Sequence, residues 1–192
     1  NLTSKPNSSA TRTAVSWSIS SFKEAISPSS TSFLTTSLPL LFSFLDKSLT
    51  HTYVSQGKEI EESMYNMFER CEFSKKEWSK IKEKCVDKGI LFLSTPENQS
   101  DLELLLDLGI KAIKVGSDDF TNIPLLRDYA KTELPLIISC GMADLDEIKN
   151  TLSVLEDYPI ILMLTTSEYP TKAENVNMLK LKTLKNNFPN IE

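Results

Sequence analysis

Lys114 closes a short apolar run, residues 110–113, and is followed by Val115-Gly116-Ser117-Asp118-Asp119-Phe120-Thr121-Asn122-Ile123-Pro124. An ammonium at the end of a buried strand, then a glycine, then small hydroxyl, carboxylate and amide side chains, is a set suited to holding an anion and moving a proton. Gly116 permits a sharp turn or a close approach to a ligand. Asn122 stands where a helix N-cap belongs, with Pro124 in the first turn behind it. The plainer alternative is a solvated lysine beside aspartates that cap a turn. The other apolar runs weigh against it, because Ser94-Thr95, Ser139 and Thr165-Thr166-Ser167 place hydroxyls at the same end of each. In parallel α/β proteins those carboxyl ends gather where ligands are held. Helix capping accounts for one or two such hydroxyls and leaves a polar cluster at every strand end unexplained.

The elements that must position these residues are legible from about residue 56. Apolar residues Met64, Met67 and Phe68 have helical spacing and predict a helix over 60–71. Ser74-Lys75-Lys76-Glu77 is a capping box that opens a helix to Asp87, closed by Gly89. Residues 90–95 form a continuous apolar run ending in hydroxyls, the pattern of a strand covered on both faces. A second box, Ser100-Asp101-Leu102-Glu103, opens a helix that stops at Gly109. The unit recurs as strand 110–115 with helix 123–131, strand 134–140 with helix 145–156, and strand 160–164 with a last helix over 174–187. Four strand and helix units at short spacing imply parallel strands joined by right-handed crossovers.

The balance of the chain narrows the function. A net charge of -5 and a pI near 5.1 give no electrostatic footprint for nucleic acid or for an anionic membrane. Cys71, Cys85 and Cys140 lack metal-type spacing and are odd in number, which fits reduced thiols in a cytoplasmic protein. His51, the single histidine, cannot build a multi-histidine metal site or a histidine-based triad. Residues 1–51 differ in kind: Ser and Thr supply 21 of the first 50 positions, so this stretch is expected to be a disordered arm ahead of an ordered domain over 52–192. The apolar run 38–45 falls short of the ~20 residues a membrane helix needs. The two glycosylation sequons at Asn1 and Asn7 are expected by chance in so Ser-rich a segment. The missing initial methionine suggests a processed or incomplete chain.

Four linked motifs carry a family resemblance: Phe92-Leu93-Ser94-Thr95-Pro96; Ile113-Lys114-Val115-Gly116-Ser117 with Thr121-Asn122-Ile123-Pro124-Leu125-Leu126; Ile137-Ile138-Ser139-Cys140-Gly141-Met142; and Thr166-Ser167-Glu168-Tyr169-Pro170 with Glu174-Asn175-Val176-Asn177. In order and spacing, residues 52–192 resemble the N-acylneuraminate (sialic acid) synthase family. The resemblance implies an α/β fold, a partial (β/α)8 TIM barrel. It implies condensation of phosphoenolpyruvate with N-acetylmannosamine or its 6-phosphate, in which a divalent metal, Mn or Mg, polarises the sugar aldehyde. A family-type homodimer is also implied, with no nucleic-acid or membrane partner. By motif position, Thr95, Lys114, Ser117, Ser139 and Ser167 would hold the phosphate and carboxylate of phosphoenolpyruvate. Tyr169 would contact the sugar, and Asp119 would be the catalytic acid/base carboxylate.

The departures carry information too. Asp118 stands where the family usually has glycine, Cys140 where threonine is common, Leu164-Thr165 where His-Cys or Gln-Cys is usual, and Asn175 where aspartate is usual. Asp118 adds negative charge beside an anion site and a Cβ where a glycine could take φ > 0. The family's first two strands, its metal histidines and its C-terminal antifreeze-like domain have no counterpart here, so the chain is expected to be a fragment without metal ligands of its own. Rival readings are a synthase for a related nonulosonic acid such as legionaminic or pseudaminic acid, a non-catalytic anion-binding or assembly remnant, and a Schiff-base aldolase built on Lys114.

Overall fold

The computed structural model of the chain describes residues 31–35, 47–168 and 171–191. Most of the Ser/Thr-rich segment, including its apolar run 38–45, lies outside them, as does Tyr169. One piece of that segment is ordered, contrary to the expectation for residues 1–51: strand β1 (Thr31–Thr35) runs parallel to β4 (Leu91–Thr95), Thr31 opposite Leu91 and Thr35 opposite Thr95. Its β-branched and aromatic residues are good strand formers once a partner is offered.

The helix expected over 60–71 is replaced by a hairpin and a short helix. Strand β2 (Thr50–Ser55) pairs antiparallel with β3 (Lys58–Ser63), and only Met64–Glu69 is helical, as α1. The turn residues Gln56 and Gly57 both have left-handed φ, 51° and 75°, the backbone that a two-residue hairpin turn requires. Glu62 accepts hydrogen bonds from Tyr53 Oη at 2.8 Å and from Arg70 Nη2 at 2.5 Å, fastening the hairpin to the end of α1. The spacing of Met64, Met67 and Phe68 therefore governs one turn and a half, and cross-strand pairing decides the rest.

Helix α2 (Lys75–Asp87) starts at the expected capping box, Ser74 with Glu77, and is followed by Gly89 at φ 66°. Phe73 packs edge-on against Trp78, 5.4 Å between centroids, as a staple across the cap; Trp78 in turn meets Phe92 of β4. Helix α3 (Gln99–Asp107) begins one residue before Ser100. Asn98 is the cap, its Oδ1 accepting from Asp101 N at 3.1 Å, and Ser100 donates to that same oxygen. Strand β5 (Ile113–Val115) leads to α4 (Ile123–Ala130), capped by Asn122 with Pro124 in the first turn as expected. Strand β6 (Leu136–Ser139) leads to α5 (Leu145–Val154), which has an Asp144 and Glu147 capping box. Strand β7 (Ile160–Met163) is followed by a 3-10 turn (Ala173–Asn175) and α6 (Leu179–Asn187), in place of one helix over 174–187.

Strands β5, β6 and β7 form a parallel sheet in that order, with Lys114 opposite Ile137 and Ile137 opposite Ile161. Strand β4 packs next to β5. Alternation sorts the side chains. Phe92, Ile113, Val115, Leu136, Ile138 and Ile160 join the core under the helices, with Leu126 and Tyr129 of α4 and Ile148 of α5. Leu93, Ala112 and Ile137 form a second apolar layer on the opposite face, flanked by Leu91, Ile161 and Met163. No helix among the described residues is long and apolar enough to cross a membrane.

Candidate functional site

The two-residue period of the strands decides which chemistry-bearing residues meet. Lys114 lies between Ile113 and Val115, which face the helices, so it belongs to the opposite face. Thr95 shares the parity of Leu93, and Ser139 that of Ile137, at the carboxyl ends of β4 and β6. Thr95, Lys114 and Ser139 therefore stand on one face at one end of three neighbouring strands. Ser117 and Asp119 follow on the loop directly after Lys114. Ser167 is exposed on the loop beyond β7, and Tyr169 lies outside the described residues.

Two buried hydroxyls brace the loops that carry these groups. Tyr129 of α4, fully buried, donates to Pro96 O at 2.8 Å and so ties α4 to the loop after β4. Thr151 of α5, also fully buried, donates to Phe120 O at 3.2 Å and secures the loop after β5. Within that loop Asp119 Oδ1 accepts from Asn122 Nδ2 at 2.9 Å, and the Asp119 carbonyl accepts from Asn122 N at 3.0 Å. The proposed acid/base carboxylate is thus held against the start of α4.

Lys114 is half-buried and its Nζ donates to Val115 O at 2.6 Å. Burial pulls its pKa below the usual lysine value, while Asp118 and then Glu97 push it back up. Asp118 has no positive φ, so the strain expected at that position is absent. Its effect is electrostatic; its Oδ1 also fills the space a Cβ on Gly116 would take, a space the exposed Asp118 side chain can vacate.

Three contributors were not anticipated from sequence. Glu97, half-buried on the loop after β4, is pushed up to about 7 by burial, then by Asp118, Asp119 and Asp101, with Lys114 opposing. Asp101 of α3 is fully buried; its Oδ2 accepts from Glu97 N at 3.1 Å and Asn98 Nδ2 at 3.2 Å, while its Oδ1 has no hydrogen-bond partner. Burial pushes Asp101 up to about 6 despite those two donors. Tyr129 is raised by burial and then by Asp119, Glu97, Asp101 and Asp118. The available signal was Glu97 itself, the first ionisable residue after Ser94-Thr95-Pro96, on the same kind of strand-end loop that singled out Asp119.

The arrangement is a lysine ammonium flanked by two strand-end hydroxyls and crowded by carboxylates. It can hold an anion through Lys114 once a neighbouring carboxyl is neutral, and it can exchange protons near neutral pH. Among the described residues no group of three or more His, Cys, Asp or Glu is placed to hold a metal ion. His51 stacks on Tyr53 in the hairpin, 6.0 Å between centroids. The divalent metal implied by the resemblance has no ligand set among these residues.

The family model described as NeuB family matches residues 42–192. The N,N'-diacetyllegionaminic acid synthase of Legionella pneumophila is 32% identical over 133 residues, covering 66% of this chain and 37% of that protein. The N-acetylneuraminate-9-phosphate synthase of Drosophila melanogaster is 32% identical over 128 residues, covering 64% of this chain and 34% of that protein. Among solved structures, the N-acetylneuraminic acid (sialic acid) synthetase of Leptospira borgpetersenii serovar Hardjo-bovis, in complex with citrate, superposes with a TM-score of 0.60 at 35% identity, covering 64% of this chain and 44% of that one. The chain spans less than half the length of each of these three relatives.

Proposed function

This chain belongs to the NeuB family, and from that premise we propose that it supplies the phosphoenolpyruvate-holding part of a TIM-barrel synthase of sialic acid or a closely related nonulosonic acid. The observation that carries the reading is the placement of Thr95, Lys114 and Ser139 on one face at the carboxyl ends of adjacent strands. A phosphate dianion needs a fixed cation and oriented donors, and a charge-assisted bond to an ammonium is about twice as strong as a neutral one. In this reading Thr95, Lys114, Ser117, Ser139 and Ser167 hold the phosphate and carboxylate, and Tyr169 contacts the acceptor, N-acetylmannosamine or its 6-phosphate. C3 of phosphoenolpyruvate forms a bond to the aldehyde carbon of the open-chain sugar. Water adds at C2, and phosphate leaves with its bridging oxygen as the C–O bond breaks. Asp119, fixed against Asn122, is the group beside the reacting carbons that takes or gives the proton. A divalent cation belongs to the proposal, with ligands from outside the described residues, as do a cytoplasmic location and a homodimer.

A second reading has its own support. The crowding of Lys114 by Asp118 and Glu97 suits an anion-binding remnant that has lost turnover. One ³¹P NMR experiment on the full chain with phosphoenolpyruvate, the diamagnetic Mg²⁺ and N-acetylmannosamine separates the two. Phosphate release that requires the sugar supports the synthase. A phosphoenolpyruvate resonance broadened by the wild-type chain and not by Lys114→Ala, without turnover, supports the remnant. A resonance unaffected by the protein refutes both.

A further inference from the structure

The carboxyls around Lys114 are more numerous than an anion site needs, and their support is specific. Asp101 is completely buried, yet it does not pair with a cation: one oxygen receives the amide of Glu97 and the side chain of Asn98, and the other receives nothing. Burying a carboxyl in that way is costly, and what it accomplishes is to pin the backbone of Glu97 at the turn between β4 and α3. Tyr129 pins the preceding residue through Pro96 O. The Glu97 backbone is thereby fixed, and its carboxyl lies in the field of Asp118 and Asp119 on the loop after β5, Asp101 on α3 and Lys114 on β5, with the neutral Tyr129 phenol of α4 beside the same carboxylates. Lys114 is the one cation acting on Glu97 in that set, and Glu97 is one of the two carboxyls acting on Lys114.

We propose that Glu97, held in place by the buried Asp101, competes with the incoming anion for the Lys114 ammonium, so that anion binding is coupled to uptake of one proton by Glu97. The proposal rests on the anion-site reading above and goes beyond it by assigning an affinity-setting residue. The turn after β4, which packs beside β5, brings Glu97 to the strand end where Lys114 stands, and the electrostatics set where the competition operates. A Glu97 carboxyl at about 7 is mostly neutral at the acid edge of the physiological range and mostly charged at the alkaline edge. When charged, it opposes a dianion and occupies the field of the ammonium. When neutral, it leaves Lys114 to the ligand. Asp101 acts through Glu97, by position and by charge.

Sulfate is the suitable probe, because it remains a dianion throughout the range in which Glu97 titrates, whereas phosphate changes charge there. For one linked proton at about 7, sulfate affinity of the wild-type chain falls about tenfold between about pH 6 and about pH 8. Glu97→Gln binds with little pH dependence and exceeds wild type by about tenfold at the upper end. Asp101→Asn keeps acceptor and shape but removes a like charge, so its profile keeps the wild-type slope with the midpoint moved to lower pH; a purely structural role would not move it. Linkage gives a check within wild type itself, since saturating sulfate raises the midpoint of the Glu97 side-chain titration followed by ¹³C NMR. A pH dependence that survives in Glu97→Gln, as deprotonation of Lys114 would produce, overturns the competition and leaves the anion site standing. So does a Glu97 midpoint indifferent to sulfate. Absence of sulfate binding in all three proteins at every pH overturns both the competition and the anion-site reading.

Discussion

Replacing Asp101 by Asn should stabilise the folded chain at neutral pH, although it removes a side chain with two hydrogen bonds. Asp101 is fully buried, its carboxyl is raised from 3.8 to about 6, and burial is the main cause. The sign follows from linkage. Below the unfolded value both states hold the proton and nothing is lost. Between that value and about 6 the unfolded chain ionises first, so the native state loses stability as pH rises, and above the folded value the loss is complete. Its size is about 3 kcal/mol, from 1.36 kcal/mol for each pH unit between the two values. An Asn oxygen can still accept from Glu97 N and Asn98 Nδ2, and its amide takes the place of the unpartnered Oδ1. Urea unfolding of both proteins at several pH values gives the difference directly. It should be near zero at about pH 4 and rise to about 2–3 kcal/mol in favour of Asp101→Asn above about pH 7. A variant less stable than wild type at neutral pH, with a difference that does not vary with pH, would show that the two donors outweigh burial and that Asp101 costs the fold nothing.

Three further outcomes can be checked on the same chain. Tyr129→Phe deprives Pro96 O of its buried donor and should cost about 1–3 kcal/mol in urea unfolding; a neutral result would mean that the loop after β4 does not depend on α4. Gly141→Ala places a Cβ 2.6 Å from Thr165 Oγ1 and 3.0 Å from Thr165 O, a clash worth about 1–3 kcal/mol, of which Thr165→Ala in the same chain recovers part; unchanged stability would show that β6 and β7 separate freely at that end. Within the described sheet β7 has a partner on one side only, and Met142, Met178 and Leu179 are exposed, so the chain should self-associate at micromolar concentration. Light scattering should show Met178→Lys with Leu179→Lys shifting it toward monomer, and a monomeric wild type would contradict this.

Local chemistry accounts for what the sequence disclosed. Ser74 with Glu77, Asn122 with Pro124, Gly89 and Gly109 set helix ends through hydrogen bonds and backbone freedom within a few residues, and such signals survive folding. The parity of Thr95, Lys114 and Ser139 followed once the strands existed. What escaped the reading depends on partners distant in the chain or on competition between equals. The hairpin forms because Thr50–Ser55 finds Lys58–Ser63, which a helical spacing in the next six residues does not announce. Asn98 and Ser100 both suit a cap, and Asn98 prevails because Asp101 can bond back to its side chain and to Glu97 N. Glu97, Asp101 and Tyr129 come from three elements, and their mutual field exists only in the folded chain.

Whether Lys114 organises a site for phosphoenolpyruvate is decided by calorimetric titration of phosphoenolpyruvate into wild type, Lys114→Ala and Asp118→Gly. Wild type should bind weakly, near the millimolar range where binding free energy is about -4 kcal/mol. Lys114→Ala should show no heat, because hydroxyls alone compete poorly with water for a dianion. Asp118→Gly should bind about fivefold more tightly, the worth of one like charge at about 4 Å in water. Equal and undetectable heats in all three proteins would mean that Lys114 holds no such anion and that the strand-end hydroxyls are helix caps.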